Sequence, residues 1–130
     1  MNVLFSGIHH CSIVVTDLDR ARRFYADVLR LKEIPKPRTF DFSVAWFDMA
    51  GQHIHLIPRD RPDNISPRHV ALHTGDAAQA RDHFRRHDVL VRETTPIPGA
   101  DRFFINDPDG NQIEIIQWLR PYDPEENRVP

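Results

Sequence analysis

Along this chain, stretches whose apolar residues alternate or run together give way to stretches with helical apolar spacing, and the same succession occurs twice. Ile8-His9-His10-Cys11-Ser12-Ile13-Val14-Val15 is rich in β-branched residues and predicts a strand. Thr16-Asp17-Leu18-Asp19 then reads as a helix start, with Thr16 or Asp17 as the cap. Leu18, Ala21, Tyr25, Val28 and Leu29 follow at helical spacing and form one apolar stripe. Pro35 and Pro37 exclude helix and mark a turn or an edge strand. Phe42 to Met49 and Gln52 to Ile57 predict two strands joined tightly at Ala50-Gly51.

The second succession runs from Arg68 to Trp118. Arg68 to His73 predicts a strand, Gly75-Asp76 a helix start, and Ala77, Ala80 and Phe84 a buried stripe ending near His87-Asp88. Val89 to Thr94 predicts a strand and Pro96 to Gly99 a loop. Arg102 to Asn106 and Asn111 to Trp118 pair through Asp107-Pro108-Asp109-Gly110, whose residue order suits a type I turn. The two halves superpose without a gap at a shift of 59 residues, the separation of His10 from His69 and of His55 from Glu114. Asp17 meets Asp76, Ala21-Arg22 meets Ala80-Arg81, and Gly51 meets Gly110 in the same register. Two copies indicate a duplicated module rather than a solenoid. The expected organisation is an α+β fold of two tandem βαβββ modules, 1–58 and 67–118, with a linker at 59–66 and a polar tail at 119–130.

Composition narrows the function. With 130 residues, ordinary apolar and charged fractions and a formal charge of −2, the chain suits one globular domain and offers no basic surface for nucleic acid. Arg20, Arg22, Arg23 and Arg81, Arg85, Arg86 read as solvated helix faces. The single cysteine, Cys11, cannot pair within the chain and reads as a small core residue. Met1 to Ser6 lacks a basic leader, and no apolar run is long enough to span a bilayer. A soluble, cytoplasmic protein without a membrane partner is expected.

Strand alternation then sorts the histidines. His10 shares a face with Ser12 and Val14, His55 with His53 and Ile57, His69 with Ala71 and His73, and Glu114 with Gln112 and Ile116. Each opposes a strongly apolar face that a helix can cover. The helix-covered faces are expected to form the core and the other faces a site. Glu114 is the most telling: a carboxylate within Ile113-Glu114-Ile115-Ile116 is costly unless solvated, paired or bound to a cation. Three imidazoles and one carboxylate suit one divalent transition metal, Zn, Ni, Fe, Mn or Co, better than Ca or Mg. His9 points away from His10 and is expected at a rim or without a role; His83 and His87 read as solvated helix residues. Phe42, Trp46, Phe103, Phe104 and Trp118 are candidate pocket walls, and Arg102 a candidate anion contact.

Taken together, the duplicated modules, a histidine in the first strand of each and the Asp-Pro-Asp-Gly-Asn-Gln-Ile-Glu-Ile run at 107–115 resemble the vicinal oxygen chelate superfamily. That superfamily includes glyoxalase I, methylmalonyl-CoA epimerase, fosfomycin-modifying thiol transferases, extradiol dioxygenases and bleomycin resistance proteins. The resemblance spans about 7 to 118. It implies an open eight-stranded barrel-like cleft with helices outside, a metal held by His10, His55, His69 and Glu114, and a homodimer with a small-molecule substrate. Histidine at position 55 departs from the Glu or Gln common there. It preserves a metal ligand but removes a carboxylate available for proton transfer. The ligands come from one chain or, where the cleft is completed across a dimer, from two.

Three functions follow from the resemblance. The first is a metal-dependent lyase, isomerase or thiol transferase in which the metal is a Lewis acid and Glu114 the catalytic base, with Trp46, His53, His73, Arg102 and Phe104 contacting substrate. The second is an Fe(II) extradiol dioxygenase using His10, His69 and Glu114. The third is a non-enzymatic drug-binding protein of the bleomycin-resistance type, against which the intact quartet of ligands counts.

Overall fold

A computed structural model of the chain describes residues 3–130. Met1 and Asn2, the start of the segment read above as lacking a basic leader, lie outside the described residues. Packing divides the chain into two units. The first holds the residues up to Ser66 together with Asp107–Asn111, and the second holds Pro67–Asn106 and Gln112–Pro130.

In the first unit, β1 (His10–Val15), β2 (Lys32–Ile34), β3 (Ala45–Met49) and β4 (Gln52–Pro58) form a sheet in the order β1-β4-β3-β2. The β1–β4 pair is parallel and the others antiparallel. The second unit repeats this with β5 (Val70–His73), β6 (Arg92–Glu93), β7 (Ala100–Asn106) and β8 (Gln112–Trp118), ordered β5-β8-β7-β6. The eight strands therefore lie in two four-stranded sheets rather than one continuous sheet, among the described residues.

Helix α1 (Leu18–Arg23) starts at Asp17, whose side chain accepts from the Arg20 amide, and α2 (Ala77–Arg86) starts at Asp76, which accepts from the Gln79 amide. Each cap satisfies a backbone donor that the first helical turn leaves open. Beyond α1 the chain widens into a π-helical segment, Phe24–Val28. The looser winding turns Phe24 as well as Tyr25 into the core, where periodicity at 3.6 residues predicted only Tyr25.

Several strands are shorter than their apolar runs suggest. β1 starts at His10 because its partner β4 leaves for the Ala50-Gly51 turn, where both residues have positive φ. β3 starts at Ala45; in its register Ser43 faces Pro58, which has no N–H to donate. β6 is reduced to two residues.

The cores follow the predicted faces. Val15, Phe47, Ile54 and Leu56 are fully buried in the first unit, as are Phe103, Ile105 and Ile113 in the second. Each such side chain contributes about 1.5–3 kcal/mol of burial, an upper estimate. Phe103 is thus a core residue and not a pocket wall, because it lies on the α2 side of its sheet at 6.0 Å from Phe84. Arg81 also departs from the solvated reading. Its side chain is only 15% exposed and forks between Glu93 and Asp101, over the Phe103 ring. The equivalent Arg22 pairs with Glu33 at 3.0 Å, so the repeated Ala-Arg ties each helix to its own sheet.

Candidate functional site

The face of the first sheet opposite α1 gathers more imidazole than alternation foretold. Register sets His10 beside His53, Ser12 beside His55, and Trp46 on the far side of His55. The His10 and His55 rings stack at 4.2 Å between centroids. Trp46 covers the other side of His55 at 3.7 Å and 8°. His55 is 5% exposed. His53 Nδ1 lies 3.3 Å from His55 Nε2, and its own Nε2 is 3.7 Å from Asp48.

His9 joins this group, contrary to expectation. Its Nδ1 is 2.9 Å from His10 Nδ1 and its ring is 4.9 Å from that of His53. Alternation placed it on the opposite face, but His9 precedes β1, so the pleat does not dictate its direction.

Burial, and then the neighbouring His10, His53 and His9, push the His55 imidazole down from 6.5 to about 4. His55 is therefore neutral near pH 7 and keeps a lone pair. In metal-free protein the sign follows directly: the unfolded chain takes up a proton below 6.5 while the folded chain resists until about 4. Stability is full above 6.5 and falls between those values, by at most roughly 3 kcal/mol. Urea unfolding across this range should show the acid-side loss, and His55→Gln should flatten it. An equal slope in the variant would assign the loss to other groups.

The second unit supplies the other candidate ligands. His69 precedes β5, and Glu114 lies within β8, 6% exposed. His69 Nδ1 is 2.8 Å from the Pro67 carbonyl, which can only accept, so Nδ1 carries the proton. His69 Nε2 points at Glu114 Oε1, 3.0 Å away, another acceptor. With Nδ1 committed to Pro67, Nε2 and the carboxylate oxygen face each other across a gap that a second ring proton or a cation would complete. A backbone carbonyl on the far nitrogen is also how proteins orient a metal-binding histidine. Among the described residues no three His, Cys, Asp or Glu side chains converge closely enough to hold a metal. The donors stand as two pairs, each chemically suited to a transition metal and neither sufficient for a full coordination shell.

The remaining candidates divide. Phe104 meets His69 edge-on at 4.9 Å, and Arg102 Nη1 is 3.5 Å from Glu114 Oε1. Arg102 is therefore beside a candidate ligand. His73 is exposed at the end of β5. Phe42 is 53% exposed and stacks on Phe40. Trp118 contacts Tyr122. His83 on α2 and His87 at its C-terminal cap lie together at 4.4 Å, away from these groups in the chain. No helix among the described residues is long and apolar enough to cross a membrane.

A twice-repeated βαβββ unit carrying imidazole and carboxylate donors opposite its helices defines a class. The chain belongs to the Glyoxalase/Bleomycin resistance protein/Dioxygenase superfamily, whose family model matches residues 7–115. Among curated relatives it is 26% identical over 121 residues to Glyoxylase I 4 of Arabidopsis thaliana, covering 85% of this chain and 70% of that protein. It is 27% identical over 135 residues to lactoylglutathione lyase of Salmonella typhimurium, covering 83% and 90%. A glyoxalase family protein from Bacillus anthracis matches in structure with a TM-score of 0.83 at 25% identity, covering 90% of this chain and 98% of that one.

Proposed function

We propose that the protein is a metalloenzyme that acts on a small substrate presenting two neighbouring oxygens, with lyase or isomerase chemistry. The observation that carries this reading is the His69–Glu114 pair, in which the Pro67 carbonyl fixes the ring so that Nε2 and a carboxylate oxygen face one another. His10, His55, His69 and Glu114 would hold one divalent ion, taken from a single chain or from two copies in a homodimer. When bound, such an ion supplies Lewis acidity toward the substrate oxygens. The relatives named as lyases make proton transfer next to a carbonyl the first chemistry to test.

Glu114 is the residue proposed to move the proton. Its side-chain contacts with His69 and Arg102 both use Oε1, leaving Oε2 to accept a proton from a carbon that bears one of the two neighbouring oxygens and to return it to that carbon or the next. Trp46 and Phe104 flank the two donor pairs and offer flat apolar surface that limits water there. With His55 in place of an acid, one carboxylate serves both halves of the transfer.

The test is hydrogen exchange. Protein loaded in turn with Zn, Ni, Mn, Co or Fe is incubated with S-lactoylglutathione in deuterated water, and deuterium at the carbinol carbon is followed by NMR. Metal-dependent exchange is expected, slowed roughly 100- to 10,000-fold in Glu114→Gln. Exchange that the variant leaves intact, or none with any metal, overturns the proposal.

A further inference from the structure

On the Glu114 face of the second sheet, Phe104 has two guanidinium neighbours: Arg92 Cζ is 5.7 Å from its ring centroid and Arg102 Cζ is 5.9 Å. The two arginines are held very differently. Arg102 Nη1 faces Glu114, and its Nε and Nη2 both donate to the Thr95 carbonyl, so its charge is offset and its donors are engaged. Arg92 uses only Nη2, which donates to two neutral oxygens, Asn106 Oδ1 at 2.5 Å and Gln112 Oε1 at 3.4 Å. Among the described residues no carboxylate lies within ion-pair distance of Arg92, and its Nε and Nη1 have no hydrogen-bond acceptor. A flexible side chain is thus restrained against a ring by amides while its charge stays unneutralised. That arrangement sacrifices rotamer freedom without the compensation of an ion pair. It suits an anion arriving from outside, which a guanidinium recognises with charge-assisted hydrogen bonds.

The register gives the spacing. Arg92 pairs with Phe104, and Phe104 with Glu114, so the three occupy one row across β6, β7 and β8. Two strand spacings separate the ends of that row, roughly 10 Å between backbones. One unpaired cation matches one negative charge, which favours a carboxylate over a phosphate with nearly two.

We infer that Arg92 is a specificity-determining residue that binds a carboxylate at the far end of the substrate, with Phe104 packing against the apolar carbons between. It rests on the proposed function only for the position of the substrate's reacting end, beside His69 and Glu114.

Calorimetric titration with 2-oxoadipate and 2-oxohexanoate tests it, because these 2-oxo acids have equal length and differ by the terminal carboxylate. Both are titrated into zinc-loaded and metal-free protein. The wild type should bind 2-oxoadipate about tenfold more tightly or better. Arg92→Gln should bring the two to near parity without weakening 2-oxohexanoate, and Arg86→Gln, an exposed arginine of α2, should keep the preference. A wild type without preference, a preference surviving in Arg92→Gln, or no binding of either acid overturns the inference. Binding indifferent to zinc and to His69→Ala, with the preference still lost in Arg92→Gln, would sink the metal reading and leave the Arg92 carboxylate site standing.

Discussion

Purified wild-type protein is expected to carry one transition metal ion per site, and a His69→Ala, Glu114→Ala double variant to carry none. The expectation follows from the donor chemistry. His69 is already oriented by Pro67, so it loses little freedom on binding, and Glu114 supplies the charge that a divalent cation requires. Sharing the roughly 10–16 kcal/mol typical of a four-ligand zinc site among its donors makes one ligand worth about 3 kcal/mol. Single replacement of His10, His55 or His69 by alanine should therefore weaken zinc affinity on the order of 100-fold or more. Elemental analysis of untagged protein and competition against a chromophoric chelator provide the two measurements. Circular dichroism must show the variants folded, because Glu114→Ala leaves the Arg102 guanidinium without its carboxylate neighbour. The metal's identity would rank the chemistries, since iron favours the dioxygenase alternative and zinc, nickel or manganese favour proton transfer. Metal content near zero after loading with each ion would leave a binding protein in a duplicated fold.

Asp107→Ala should cost the fold more than any single ligand replacement. Asp107 is 4% exposed, and both carboxylate oxygens are used twice. Oδ1 accepts from the Asp109 and Asn111 amides at 2.9 Å, and Oδ2 accepts from Tyr25 Oη and Asn111 Nδ2 at 2.8 Å. Burial pushes this carboxyl up from its ordinary range, and those four donors oppose the shift. Asn111 Nδ2 reaches the Val14 carbonyl as well, while Asp109 accepts from Thr16 and Arg20. The whole connection from β7 to β8 thus belongs to the first unit, although the strands it joins belong to the second. Truncation at Asp107 leaves the fully buried Tyr25 hydroxyl and several amides unsatisfied, a loss of about 3 kcal/mol and roughly 10 °C in Tm. Tyr25→Phe should cost about 1 kcal/mol, and the double variant less than the sum. Chemical unfolding of the three variants decides it, and strict additivity would show that the Tyr25–Asp107 bond contributes nothing of its own.

The repeat, the order of elements and the two faces of each sheet were legible in the sequence because each is a local property. A period of two sends Ile54 and Leu56 to the core and His55 the other way, whatever the rest of the chain does. The capping aspartates, Asp17 and Asp76, were likewise readable from their place before an apolar stripe. His10, His55, His69 and Glu114 could be picked out by their equivalence between halves and by the cost of a carboxylate among isoleucines.

Pairing across strands is not local, and there the sequence fell silent. Nothing in Arg92-Glu93 says that Arg92 stands opposite Phe104, in one row with Glu114, since two residues of strand carry too little pattern to set a register. His9 enters the imidazole group because it lies just before the pleat begins, where alternation has no force. The Asp-Pro-Asp-Gly turn was readable as a turn; that its first aspartate is the partner of Tyr25, 82 residues earlier, was not. By itself the sequence determined which residue types face away from the cores and which of them belong to the kinds that ligate cations. Only the tertiary structure decided which nitrogen of His69 is committed to Pro67, which of the two arginines beside Phe104 lacks a carboxylate partner and which turn aspartate meets Tyr25. Those outcomes depend on distances between segments far apart in the chain, and hydrophobic periodicity carries no record of them.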